Sequence, residues 1–310
     1  MFCILGASGF IGRSMAEAMQ DRAMPYRALV RNKAELPGDL FAGAESVHDF
    51  DFEGGMDMRV FDGISTVLVA SWATKPNTPN NTLVSELREN VVAHSRFLTA
   101  LKKTGVKHLM FLSSGGAVYG AVDQSEKITE AQLCVPCTPY GYGKLCIEKA
   151  IQGFWGSDGR RYTILRPSNP VGRHQMLSVG VHGLFPSVIH ALIRGEPVNV
   201  FGDGTTVRDY FAVEDLADLV LAADARDAGN QIVNASSGTG LSINQVIALC
   251  AEATGRTPQL RPLPDKQPEI AYNVLSNDRA RRIFDWAPTR SIEDVARGLV
   301  RALETGGNGA

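Results

Sequence analysis

The chain has 310 residues, 44% apolar and 21% charged, the balance of an ordinary water-soluble globular protein and not of a disordered, collagen-like or membrane chain. With 31 basic against 33 acidic side chains the formal charge is −2, without a block of like charge, so neither nucleic acid nor a membrane surface is an expected partner. The 5 cysteines are odd in number and spread through a long chain, which argues against a disulfide framework and for a reducing, cytoplasmic location.

Met1 to Gly6 lacks the basic and apolar regions of a secretory leader, and no run reaches the ~18 to 20 apolar residues of a membrane-spanning helix. Its apolar residues instead predict a strand over Phe2 to Leu5. That strand runs into Gly6-Ala7-Ser8-Gly9-Phe10-Ile11-Gly12 and then a helix-compatible segment, Arg13 to Gln20. Glycines permit a tight turn and close backbone approach to a pyrophosphate, whose charge then rests on the helix N-terminus. Gly6, Ser8, Gly9, Phe10, Ile11 and Gly12 are therefore candidate dinucleotide-binding residues. The Gly-x-x-Gly-x-x-Gly spacing alone is weak; the strand before it and the helix after it carry the reading.

A second strand, Tyr26 to Val30, is expected to end beside the adenosine ribose, where an acid normally accepts from the 2′-hydroxyl. No acid precedes Glu35. Arg31, with Lys33, suits a 2′-phosphate instead, which favours NADP(H) over NAD; a solvated loop is the plain alternative. Asp49 is a candidate partner of the adenine amino group, with Asp51 equally placed.

Ile64 to Ala70 reads as a strand. Leu83, Leu87, Val91, Phe97, Leu98 and Leu101 recur near the helical period. Strand His108 to Leu112 ends in Ser113-Ser114-Gly115-Gly116, at the edge of a parallel sheet where ligands bind, and Ser114 there is placed to hydrogen-bond a substrate oxygen. Tyr140-Gly-Tyr-Gly-Lys144 opens a helix. Four residues advance it by about 400°, so Tyr140 and Lys144 share a face and Tyr142 does not. An adjacent ammonium favours the phenolate, which would let Tyr140 take a hydroxyl proton while hydride leaves the same carbon.

Further strands are expected over Tyr162 to Leu165 and Gln231 to Val233. Strands alternating with helices define the fold class as α/β, a Rossmann-type doubly wound parallel sheet. Residues 1–170 form the dinucleotide-binding domain, and 171–310 mainly a smaller substrate domain, with the segment near 205–236 returning to the first. A short helix is expected over Ser187 to Arg194 and a frayed tail from Thr305. No metal is expected: Cys134-Val-Pro-Cys137 has no second ligand pair, and His174, His182 and His190 recur at a period that no helix or strand face honours. Phe201 is equally suited to a nucleobase or to the core.

These residues resemble the extended short-chain dehydrogenase/reductase family, in particular the nucleotide-sugar epimerases and dehydratases of the UDP-glucose 4-epimerase type. Besides the glycines and Tyr140/Lys144, the likeness includes Ser113 to Gly120, Leu165-Arg-Pro-Ser-Asn-Pro-Val-Gly172 and Gly202 to Asp215. It implies that Asn90 steadies the cofactor, that Pro167 lies beside the nicotinamide, and that Asn169 and Arg208 contact the diphosphate of a nucleoside diphosphate sugar, most readily a UDP-sugar. A homodimer is implied as well. Three departures stand out: Gly115 occupies the family's usual catalytic Ser/Thr position, Lys266 and Glu269 replace its second phosphate-binding Arg and the Asp beyond, and the second strand ends in basic residues. The expected activity is NAD(P)-dependent epimerisation at the sugar C4 through a transient keto sugar. An NADPH-dependent reductase or dehydratase of a nucleotide keto sugar, and a non-catalytic NADP-sensing regulator, are the alternatives.

Overall fold

The computed structural model describes residues 1–52, 56–76, 78–122, 126–175, 183–264 and 270–306. The apolar N-terminal run forms β1 (Phe2–Leu5), buried throughout, and α1 (Phe10–Asp21) follows at once with Met15, Ala16 and Met19 turned into the core. β2 (Tyr26–Val30), β3 (Ser46–Asp49) and β4 (Thr66–Val69) complete the first half of the sheet. The amphipathic segment is one helical rod of α2 (Leu83–Glu86), a π-helical stretch over Leu87–Val92, and α3 (Ala93–Leu101). β5 (His108–Leu112), the single turn α4 (Gly115–Val118), α5 (Pro139–Ala150) and β6 (Arg161–Pro167) follow.

The second half is shorter in its strands. It comprises β7 (Asn169–Val171), α6 (Leu184–Arg194), β8 (Val198–Phe201), β9 (Val207–Ala212), α7 (Val213–Ala225) and β10 (Gln231–Ala235). Beyond these come β11 (Gly240–Ser242), α8 (Ile243–Thr254), β12 (Leu260–Leu263), β13 (Tyr272–Asn273), α9 (Asp278–Phe284) and α10 (Ile292–Gly306).

Seven strands pair in parallel in the order β10-β6-β5-β4-β1-β2-β3. Strand order reverses between β1 and β4, so the carboxyl ends of these two strands open onto the crevice where such sheets take ligands. Two apolar cores, one on each face of the sheet, are built around Ile4, Met19 and Leu68 and around Leu5, Val67 and Phe97. A third core, around Phe185, Ile189, Val246 and Leu299, holds the second half together. There, β9 pairs with β7, β11 and β13, and β12 with β8. β10, far along the chain, returns to the edge of the large sheet beside β6, and α7 packs on α1.

The anticipated strand Ile64 to Ala70 is trimmed to β4, although its flanks still bond the neighbouring strands' ends, the Ser65 carbonyl accepting from His108 and the Ala70 N–H donating to the Leu5 carbonyl. β6 extends further at both ends than expected, and α6 begins at Leu184, ahead of Ser187.

Candidate active site

The first turn is built as its glycines require. Gly6 has φ +89°, and a Cβ there would lie 2.7 Å from the backbone nitrogen of Ser71. At Gly12 a Cβ would fall 2.2 Å from the Gly6 carbonyl, so the glycine lets α1 press onto the turn. The first N–H groups of α1, at Phe10, Ile11 and Gly12, have no carbonyl one turn back, and no acidic residue stands in that turn. This is a cradle suited to an anionic dinucleotide, and backbone, not side chain, is what Phe10 and Ile11 offer it.

Beside the cradle lies a crevice of about 500 Å³, lined by Gly6, Ser8, Gly9, Arg31, Asp51 and Asn90 among others, a volume suited to a small-molecule site. Arg31 is exposed at its rim, at the end of β2. Asp49 departs from expectation: its carboxylate accepts from the backbone N–H of Lys33 at 2.5 Å, and Asp51 lines the crevice in its place. Asn90 is fully buried. Its amide oxygen accepts from the Ala73 N–H at 2.8 Å and its amide nitrogen donates to Thr74 and to Glu86, so it acts by shaping the wall of the crevice.

Tyr140 and Lys144 ride on α5, whose N-terminus is capped by the Thr138 hydroxyl accepting from the Gly141 N–H at 3.2 Å. Ser114, just past the carboxyl end of β5, is the N-cap of the α4 turn that packs on α5, and its hydroxyl lies near enough to the Tyr140 phenol to influence its ionisation. Tyr142 is 46% exposed on another side of the helix. Tyr140 and Ser114 are thus brought together, one turn of helix from Lys144.

The electrostatics differ from the sequence expectation. Lys144 Nζ does not approach the phenol oxygen closely enough to bond it; it donates to the Leu112 carbonyl at 2.8 Å and lies 5.7 Å from the centroid of the Tyr140 ring. Burial pushes the phenol well above its usual range, the Ser114 hydroxyl opposing and the negative charge of Glu86 adding to the shift. Burial also draws Lys144 down to about 7, against the opposing pull of Glu86 and Glu148. In the protein alone the phenol is therefore held neutral.

Below the pair runs a buried network. Arg166 of β6 donates to both oxygens of Glu148 of α5, at 3.0 and 2.6 Å, and Ser113 donates to the same carboxylate. Arg166 also donates to the Tyr119 hydroxyl at 3.0 Å, and Tyr119 donates to Asn234 of β10 at 2.7 Å. This ties α5 to β6 and β10 and to Ser113, the residue just past β5.

The remaining sequence candidates sit in the second half or at its border. Pro167 ends β6, and its carbonyl is 3.3 Å from where a Cβ on Gly115 would be. Asn169 donates its amide to the Asp209 carbonyl at 2.9 Å, and Arg208 donates to the Val207 carbonyl at 2.9 Å. Phe201 is partly buried at the end of β8. Lys266, Glu269 and His182 lie outside the described residues. The five cysteines are unpaired, and among the described residues no group of three or more His, Cys, Asp or Glu is arranged to hold a metal. No described helix is long and apolar enough to cross a membrane.

Sequence reasoning passed over Trp72 and Glu86. Trp72, just past β4, lines the crevice on one side and meets the Tyr140 ring edge-on at 6.4 Å on the other. Its position after a central parallel strand was the available signal.

A sheet of this order, with a glycine cradle after its first strand, defines a Rossmann-type fold, and the family match places the chain among dinucleotide-dependent enzymes of the extended short-chain dehydrogenase/reductase type. Within that class, the chain belongs to the NAD-dependent epimerase/dehydratase family, whose model matches residues 2–236. It is similar to the UDP-glucose 4-epimerase of Corynebacterium glutamicum, with 30% identity over 97% of this chain and 95% of that one. It is also similar to the dTDP-4-dehydro-6-deoxyglucose reductase of Escherichia coli, at 23% identity over 97% of this chain and 96% of that one. Among solved structures, a UDP-glucose 4-epimerase from Thermotoga maritima, determined with UDP-glucose, superposes with a TM-score of 0.90 at 25% identity, covering 98% of this chain and 99% of that one. One from Thermus thermophilus, in complex with NAD, superposes at 0.85 and 25% identity, covering 98% of each.

Proposed function

We propose that this protein is a nucleotide-sugar 4-epimerase that uses a nicotinamide dinucleotide and acts on a UDP-sugar. The observation that carries the reading is the placement of Ser114 on the α4 turn against α5, which carries Tyr140 and Lys144, at the carboxyl edge of the sheet that also bears a glycine cradle fit for a dinucleotide. The similar enzymes named for UDP-glucose, across nearly the whole chain, support the substrate class.

A nicotinamide dinucleotide held by the cradle would supply a reversible hydride acceptor for the sugar C4. Tyr140 takes the proton of the 4-hydroxyl and gives it back, and Ser114 holds the same oxygen by hydrogen bonding. Lys144, on the same helical face, supplies positive charge that favours the phenolate during the transfer. The Arg166–Glu148 network fixes α5 so that Tyr140 keeps its place. Asn169 and Arg208 are assigned to the diphosphate, Phe201 to the nucleobase, Lys266 to a second phosphate contact, and Asn90, Pro167 and the cradle residues to the dinucleotide. The substrate domain is assigned to 171–310, apart from the returning segment near 205–236.

NAD is the cofactor supported by the similar structures; Arg31 at the rim, where an acid usually stands, supports acceptance of NADP(H) as well. A homodimer belongs to the same reading, supported by exposed Val84 and Val92 on the α2–α3 rod and by Phe154, which borders a shallow hollow with Ser95 and Thr99. Native mass spectrometry of purified protein should find one dinucleotide per chain, and a panel of UDP-sugars should show interconversion of 4-epimers without net cofactor consumption. Loss of neither activity nor bound dinucleotide in Tyr140→Phe would defeat the catalytic assignment.

Arg31 also favours a second reading, a reductase of a nucleotide keto sugar, consistent with the similarity to the Escherichia coli reductase. Stoichiometric oxidation of NADPH in the same panel would select it.

A further inference from the structure

Glu86 is the buried charge that the reaction scheme leaves without a task. Its side chain is fully enclosed, and it accepts four hydrogen bonds: from Trp72 Nε1 at 2.9 Å and Asn90 Nδ2 at 3.0 Å on Oε1, and from Thr74 Oγ1 and Asn81 Nδ2 at 2.7 Å each on Oε2. Acceptance at both oxygens, twice each, is the pattern of an ionised carboxylate. All four donors are neutral. A charge so enclosed is retained only where something offsets its desolvation.

The offset lies one indole away. Trp72 gives its N–H to Glu86 and its π face to Lys144, whose Nζ stands 4.0 Å from the ring centroid. Phe111 takes a second side of the ammonium at 4.9 Å, and the Leu112 carbonyl accepts from it. An indole hydrogen-bonded to an anion is richer in π density and attracts a cation more strongly. α5 is shaped for this arrangement: a Cβ on Gly143 would lie 2.6 Å from Glu86 Oε1, so the glycine one residue before Lys144 lets the carboxylate sit against the helix.

We infer that Glu86 and Trp72 are positioning residues for Lys144: the carboxylate is its buried counterion, and the indole, which also lines the dinucleotide crevice, transmits that charge while holding the ammonium against its face. This deepens the proposed reaction and rests on it for its purpose, although the pairing itself is a statement about the free protein. The other titratable neighbours do not substitute for Glu86. Glu148, a turn further along α5, is already paired with Arg166. His94, stacked on Trp72 at 4.6 Å, is drawn by burial to about 4 and is uncharged at neutral pH. Tyr140 is held neutral.

The test is a 13C NMR titration of Lys144 in lysine-labelled protein without added ligand, assigned with Lys144→Met. Removing the negative charge by Glu86→Gln should lower the Lys144 midpoint by about one pH unit or more, as expected for loss of a charge across a dry gap of this size. Trp72→Phe, which keeps a ring face but loses the N–H, should lower it less, and Trp72→Leu should lower it more than Trp72→Phe. A midpoint unchanged or raised in folded Glu86→Gln overturns the inference. Should that variant fail to fold, an unchanged midpoint in both Trp72 variants does the same. Absence of turnover on every sugar nucleotide would defeat the epimerase reading and leave this titration unaffected, so the two failures are separable.

Discussion

Leu275 fills the space that a side chain at Gly115 would need: a Cβ there would lie 2.3 Å from Leu275 Cδ1, with the Arg166 carbonyl at 3.0 Å. Leu275 is fully buried, and its backbone N–H bonds Asp209 at 3.3 Å, so it has little room to withdraw. Gly115→Ser should therefore destabilise the fold by about 1–3 kcal/mol through overpacking. In urea unfolding, Gly115→Ser with Leu275→Ala should be more stable than the sum of the single variants predicts, by about 1 kcal/mol or more. Strict additivity would show that the serine finds room elsewhere.

In the proposed reaction the hydroxyl role that Gly115 cannot supply falls to Ser114. Ser114→Ala is expected to lower kcat about 10²-fold and Tyr140→Phe about 10²- to 10⁴-fold on whichever UDP-sugar is turned over, with dinucleotide affinity changed little. Tyr142→Phe, at an exposed site, is the control and should match the parent protein.

Lys144 gives a signed pH dependence of stability. Its folded value is drawn down to about 7 from 10.5, so between those limits the unfolded chain binds more protons than the native one. Below about pH 7 the lysine is charged in both states, and its burial weighs fully against folding. That penalty is relieved as the pH rises from about 7 toward 10.5. The stability of Lys144→Met relative to the parent should thus be most favourable near pH 6 and should fall as the pH rises toward 9 to 10, whatever constant cost the loss of Glu86's counterion adds, read from urea midpoints. An advantage that grew with pH would contradict the assignment.

The Arg166–Glu148 pair is a structural test. Arg166→Met leaves Glu148 buried with only Ser113 as a donor from this network, and should cost about 3–5 kcal/mol. Arg166→Met combined with Glu148→Leu should restore much of that stability. Equal stability of the single and double variants in chemical denaturation would mean the carboxylate was never held as a charge.

If Arg31 faces a 2′-phosphate, as proposed, it sets cofactor choice. Arg31→Ala should weaken NADP(H) binding about tenfold and leave NAD affinity within about twofold, measured by calorimetry. A parallel loss for both dinucleotides would move Arg31 from the 2′-phosphate to the crevice wall in general.

The central strands were legible because they are short apolar runs buried on both faces, as in Phe2 to Leu5 and His108 to Leu112. β3 was not: Ser46-Val-His-Asp49 is a half-exposed edge strand without a continuous apolar signature. The same holds for β11 to β13, which pair through long-range contacts that leave no local period. Within the site, Tyr140 and Lys144 announce themselves by helical spacing, and the cradle by its glycines. Glu86 and Trp72 do not, since what they do depends on α2 and α5 approaching closely, and that approach is encoded in the absence of a side chain at Gly143. Asp49 and Asp51 were indistinguishable by position; Asp49 accepts from the turn at Lys33, and Asp51 lines the crevice.

The return of β10 to the edge of the large sheet makes the two halves interdependent in folding. A fragment ending near residue 170 would expose the backbone edge of β6 along its length, and would leave Tyr119 without its Asn234 acceptor. Such a fragment invites intermolecular strand pairing, so the first half of the chain cannot be borrowed as a free-standing module. Because sequence-distant strands must meet before that edge is covered, a ribosome has to release well over two hundred residues before this sheet can close.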